Sequence, residues 1–180
     1  KASSQGEEKP KEVNSNKLLE DGTNIELEFP EPTLKEFQSD IAKAVDLGET
    51  AGTGNYNTLL AFSNEAGAPF AGQLITEMSI DDLIRFSAPK GEYGQYSKSK
   101  VGRVATPMGR YQIVGKTLKS LKEELGLSGT EMFTPELQDK MFVTLLKRRG
   151  YDDYKSGKIT KQEFIENLTN EWEGLKLNKE

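Results

Sequence analysis

Glu49 is the acid in this chain best placed to do chemistry. It follows Gly48 at the end of an amphipathic stretch and opens the polar, glycine-rich run Thr50-Ala51-Gly52-Thr53-Gly54-Asn55-Tyr56-Asn57. A helix end is a rigid mount, and a lone carboxylate desolvated there can act as a general acid. The plainer alternative is a solvated residue close to a helix C-terminus. The chain contains neither histidine nor cysteine, which excludes Ser-His triads, imidazole bases, thiol nucleophiles, disulfides and the usual zinc sites. Proton transfer must therefore fall to carboxylates, tyrosines or lysines, and no cofactor is expected.

Three other constellations could carry chemistry. Gly109-Arg110-Tyr111-Gln112-Ile113, preceded by Thr106-Pro107-Met108, combines a glycine that permits close approach with a Gln that offers both donor and acceptor. Its Tyr has a flat apolar face and a polar tip, which suits a sugar ring; an ordinary strand after a turn fits the same residues. Between Glu92 and Glu123 there is no acid, while Lys98, Lys100, Arg103, Arg110, Lys116, Lys119 and Lys122 all fall there. That window predicts a positive face suited to an anionic polymer, unless the charges are merely scattered and solvated. The run from Asp152 to Glu163 imitates a calcium loop, but its third position is Tyr154 and Glu163 is explained by helix capping, so calcium is not expected. The glycines at 48–54 follow a helix and lack a Gly-Lys-Ser/Thr ending, which argues against a nucleotide.

The elements that must position these residues follow from capping and periodicity. Thr33 and Glu36 form a capping box, and Leu34, Phe37, Ile41, Ala44 and Val45 recur at helical spacing, predicting a helix over 33–47 stopped by Gly48. Residues 50–75 read as a loop or small irregular lobe. Ser79 and Asp82 start a short helix through Phe86, and Arg110–Val114 has strand character. Leu118, Leu121 and Leu125 mark a helix ending near Gly126. Thr134-Pro135 opens another that runs to Arg149, and Thr160 with Glu163 opens a last one carrying Phe164, Ile165, Leu168 and Trp172. Trp172 and Asp139 read as structural, the latter as a carboxylate suiting a helix start.

The chain has 180 residues, enough for one domain with an appendage. Residues 1–32 hold four Lys against eight Asp/Glu, whereas the remainder is nearly balanced at 20 against 21. The first 32 residues therefore read as an acidic, largely disordered leader or linker, and 33–180 as the folded domain, the catalytic one if Glu49 is the acid. Within the leader, Ile25–Phe29 could form an edge strand or an extended arm. Opening on Lys1, the chain reads as a piece of something longer. No apolar run approaches the length of a membrane span, and no signal-peptide pattern opens it.

In several separated pieces, kept in order, the chain resembles the phage lambda endolysin family of lysozyme-like lytic transglycosylases. The pieces are Gly109-Arg110-Tyr111-Gln112; Phe133-Thr134-Pro135 with Gln138-Asp139; Lys147-Arg148-Arg149-Gly150; and Thr169-Asn170-x-Trp172. The likeness covers about residues 34–175 and departs between Asn64 and Lys100. It implies an α+β, mainly α fold: a lysozyme-like helical body with a small glycine-rich β/loop lobe inserted after the first core helix. It also implies an enzyme that cleaves the MurNAc–GlcNAc β-1,4 bond of peptidoglycan glycan strands, acting in the periplasm or cell wall, secreted or virion-associated. Glu49 falls where the family has its acid; Tyr56, Asn57, Arg110, Tyr111 and Gln112 are the expected glycan-binding residues.

Hydrolytic phage lysozymes place an Asp nine residues after the acid. Here that position is Thr58, and no acid follows Glu49 before Glu65. A missing partner fits a transglycosylase, in which the substrate's 6-hydroxyl attacks and one Glu both donates and accepts the proton. Glu49 must then be protonated at working pH, which burial against Tyr56 or Tyr111 would favour. Hydrolysis with Glu65 or Glu77 as second carboxylate is the alternative, as is a non-catalytic peptidoglycan-binding or tail structural module. Partners other than glycan strands are not expected among nucleic acids or membranes, although the leader could join the domain to a larger phage or bacterial assembly.

Overall fold

The computed structural model describes residues 55–172. Glu49, the helix expected over 33–47 and the leader lie outside the described residues.

Residues 55–78 form the irregular lobe that the small polar residues predict. Its only helical turns are 3-10 segments at Leu60–Phe62 and Ile75–Glu77. Asn64 ties this lobe together, its Nδ2 donating to the carbonyls of Asn57 (2.7 Å) and Gln73 (3.0 Å). Phe70 then seats the lobe on the helical body, its ring edge-on to Phe86 (5.1 Å), Tyr96 (5.4 Å) and Tyr93 (6.0 Å). Such aromatic contacts add about 0.5–1.5 kcal/mol each beyond the area they bury.

Helix α1, Ile80–Ser87, begins where Ser79 accepts the N–H of Asp82, as the cap signal predicts. It buries Ile80, Leu83 and Phe86. Helix α2, Glu92–Val101, has no counterpart in the sequence reading, because only Tyr93, Gly94 and Ser97 face inward and the rest is polar. Gly94 explains how so polar a helix docks: a Cβ there would collide with the carbonyl of Ala88, so only glycine permits the approach to the end of α1. Helix α3, Gly115–Glu124, packs on α1 through Leu118 and Leu121.

The second half of the body is built on α4, Pro135–Arg148. Thr134 caps it by accepting the Leu137 N–H, proline occupies its first turn, and Gly150 ends it at φ +101°. Short α5, Tyr151–Lys155, packs on α4, and α6, Lys161–Leu168, packs on α5 through Phe164 against Tyr151 and Tyr154. The capping box at α6 is reciprocal: Glu163 N–H to Thr160 Oγ1 at 3.1 Å, and Thr160 N–H to Glu163 Oε2 at 2.7 Å. Asp152 and Asp153 sit in the first turn of α5, so the calcium-loop imitation is a helix followed by a cap. Met141, Phe142, Leu145, Leu146, Tyr151, Phe164, Leu168 and Trp172 form this core. Burying each large apolar side chain contributes about 1.5–3 kcal/mol. Ile165, expected in the same core, is only half-buried.

The class is mainly helical, as expected. The strand expected over Arg110–Val114 is corrected. Among the described residues, β pairing consists of isolated bridges, Leu59 with Met108, Met108 with Ile113 and Ser79 with Met132. Met108 and Ile113 exchange both backbone bonds at 3.0 Å, so 109–112 are the tip of a tight hairpin.

Candidate functional site

The hairpin tip is possible because two residues take the left-handed region. Gly109 has φ +75°, and a Cβ there would run into the side-chain amide of Gln138. Gln112 adopts φ +49°, a conformation that costs a non-glycine residue about 1–2 kcal/mol. That strain is held by bonds within the tip and from the tip to the lobe. Gly109 N–H donates to the Thr58 carbonyl at 2.8 Å, and Gln112 Nε2 donates to the Gly109 carbonyl at 2.9 Å.

Gln138, on α4, fastens the tip to the lobe. Fully buried, it accepts the Arg110 N–H through Oε1 (3.1 Å) and donates Nε2 to the carbonyls of Tyr56 and Phe133, each at 3.0 Å. The neighbouring Asp139 gathers the aromatic residues. It accepts from Tyr111 Oη at 2.6 Å and from Tyr56 Oη at 3.0 Å. Arg110 Nη1 donates to Tyr56 Oη at 2.8 Å, and its guanidinium lies 5.2 Å from the Tyr56 ring centroid and 5.7 Å from that of Tyr111. Burial, reinforced by the bond to Asp139, pushes the Tyr111 phenol far above its ordinary value. Burial also raises Tyr56, with Arg110 acting against it. Both phenols therefore keep their protons as donors at neutral pH.

Of the expected glycan-binding residues, Tyr56, Arg110 and Tyr111 thus come together around Asp139. Tyr111, however, is fully buried with its ring stacked on Phe142 at 4.4 Å, and the indole N–H of Trp172 donates to its carbonyl at 2.7 Å. The open aromatic platform expected of Tyr111 is corrected to a core residue that anchors the hairpin. Asn57 is spent internally: its Oδ1 accepts the Thr76 N–H at 2.9 Å. Glu65 and Glu77, the alternative second carboxylates, are both exposed. Asp139 is structural as expected, but as the acceptor of two phenols rather than through the helix dipole. Gln138 was named only as part of a family motif, with no role given, and the role of Tyr93 was missed. The Tyr93 hydroxyl accepts the Leu60 N–H at 2.8 Å and donates to the Pro107 carbonyl at 2.5 Å, so it pins lobe and hairpin to α2. No local pattern could have revealed partners so remote in sequence.

Gln112 also borders open space. It lines an open groove of about 1020 Å³ whose walls include Ile84 of α1, Pro89 just beyond that helix, Val101 at the end of α2, Val104 and Pro107 after it, and the first turns of α3. The expected positive face divides in space. Lys122 is taken up by Asp81 at 2.7 Å and Arg110 by the tyrosine cluster, whereas Arg103, Lys116 and Lys119 line the groove.

A mainly helical body thus carries a braced Gly-Arg-Tyr-Gln hairpin beside an open groove. The endolysin family model matches residues 89–178, half of the chain, and the chain belongs to that family. It is accordingly a phage-type enzyme that degrades the bacterial cell wall, with peptidoglycan as its substrate. No curated protein and no solved structure matches the chain. No helix among the described residues is long and apolar enough to cross a membrane.

Proposed function

We propose that the chain is a lytic transglycosylase that cleaves the MurNAc–GlcNAc β-1,4 bond, with Glu49 as its single proton-transfer group. Protonated Glu49 gives its proton to the glycosidic oxygen as the C1–O bond breaks and positive charge develops on the MurNAc ring. The resulting carboxylate then takes the proton of the MurNAc 6-hydroxyl, whose oxygen bonds to C1. No water is consumed, and the product is a 1,6-anhydroMurNAc end. Glu49 itself lies outside the described residues, so its role rests on its place in the sequence relative to the family motifs.

The observation that carries the reading is the placement of Gln112, which borders the groove from a hairpin tip held by bonds to Thr58 and Gln138. With Nε2 engaged by the Gly109 and Thr58 carbonyls, a carboxamide so fixed offers its Oε1 as an acceptor to a sugar hydroxyl or N-acetyl N–H at little entropic cost. Tyr56 is half-buried and Arg110 bonds to it, so the pair borders the tip and can meet the glycan, while Tyr111 and Asn57 hold the backbone that carries them. Two points favour the transglycosylase over the hydrolase. No acid stands between Glu49 and Glu65, and both Glu65 and Glu77 are exposed.

The test is Glu49→Gln, assayed on purified sacculi. The account predicts a loss of release of about 10²- to 10⁴-fold, as for removal of a general acid, with the circular dichroism and melting temperature of the wild type. A folded variant retaining most of its activity would refute the assignment.

A further inference from the structure

Resting on the reading that the substrate is peptidoglycan, we propose that the groove beside Gln112 binds the peptide stem of the substrate through its carboxylates, with Arg103, Lys116 and Lys119 as the recognising cations. All three side chains line the groove, and none has an acidic partner among the described residues. Among the described residues the one acid on the groove wall, Glu171, is already engaged by Arg149 at 2.6 Å. The cations do not simply reflect the overall charge, because the whole chain is acidic at −5. They share the groove with exposed apolar residues, Val101 at 47%, Val104 at 38% and Val114 at 39%. Unmatched positive charge beside exposed valines is complementary to a short peptide of alanine residues and carboxylates. A bare glycan, neutral and hydroxyl-rich, would use neither feature. Gln112 shares the groove with these cations. In peptidoglycan the stem branches from the MurNAc lactyl group, so a sugar held at Gln112 delivers its stem to the same groove.

The experiment has two arms, both with the full chain. In the first, a synthetic L-Ala–γ-D-Glu–meso-diaminopimelate–D-Ala tetrapeptide is titrated against the protein and read by the fluorescence of Trp172, the one tryptophan, which lies on the groove wall. Wild type should bind it with a salt-sensitive Kd. The triple variant Arg103→Ala/Lys116→Ala/Lys119→Ala should bind about ten-fold more weakly, as for the loss of several exposed ion pairs. Equal affinity for the carboxamide form of the tetrapeptide, or for inorganic phosphate, would overturn the proposal, as would unchanged binding by the triple variant. In the second arm, KM is compared on intact sacculi and on glycan strands stripped of stems by an amidase. The triple variant should raise the ratio of the two KM values about ten-fold and leave kcat unchanged; an unchanged ratio overturns the proposal. If wild type cuts neither substrate, the glycosidase reading fails and the peptide titration alone decides.

Discussion

Tyr111 donates its phenolic proton to Asp139 Oδ1 at 2.6 Å, joining a hairpin tip to the second turn of α4. The same carboxylate accepts from Tyr56, so one side chain fixes the lobe, the hairpin and the helix relative to one another. Asp139→Ala removes the acceptor of both phenolic bonds and should lower stability by about 1–3 kcal/mol. Asp139→Asn keeps one acceptor oxygen and should lose less. Chemical denaturation of the two variants against wild type checks the order, which reverses if Asp139 is merely a surface charge.

Gly109 makes a sharper prediction. At φ +75°, and with the Gln138 amide where a Cβ would go, Gly109→Ala must both strain the backbone and displace a fully buried hydrogen-bonding group. The expected cost is about 2–4 kcal/mol, read as a fall in melting temperature, together with loss of activity. A variant as stable as wild type would mean that the tip is not held as described.

Gln112 separates backbone from chemistry. Gln112→Gly relieves the cost of its positive φ but removes the bond from Nε2 to the Gly109 carbonyl. The two effects oppose, and stability should stay within about 1 kcal/mol of wild type. Turnover of sacculi should nevertheless fall about ten-fold, since the groove loses its carboxamide. Equal turnover with equal stability would remove Gln112 from the binding site.

The helices announced by chemistry at their ends were legible in the sequence: Ser79 with Asp82, Thr134 with Pro135, and Thr160 with Glu163 each signal locally. Helix α2 was not, because its buried face is a tyrosine, a glycine and a serine, and its docking depends on a missing Cβ at Gly94. The strand read at Arg110–Val114 rested on the β propensity of Ile113 and Val114, which a neighbouring positive φ at Gln112 overrides. Within the site, the Gly-Arg-Tyr-Gln motif was visible. The partners that give it shape, Gln138 and Asp139, act across 28 and 82 or more residues of sequence, and that distance leaves no periodic trace.

Glu131 gives a pH-dependent test. Its carboxylate accepts the backbone N–H groups of Ser128 (2.9 Å) and Gly129 (2.8 Å), and these bonds hold its pKa down at about 2, against 4.5 for the unperturbed group. A depressed folded-state value means that its stabilising contribution is fully present above 4.5 and is lost as pH falls towards 2. The stability difference between wild type and Glu131→Gln should therefore shrink through that interval. A difference constant from neutral pH to 2 would show that the carboxylate does not clamp the turn.

The central claim is the fate of the glycosidic bond. Mass spectrometry of muropeptides released from purified sacculi by the full chain measures it directly, since anhydro and reducing ends differ by one water. The account predicts 1,6-anhydroMurNAc ends as the main product; reducing MurNAc ends, or intact glycan strands, would contradict it.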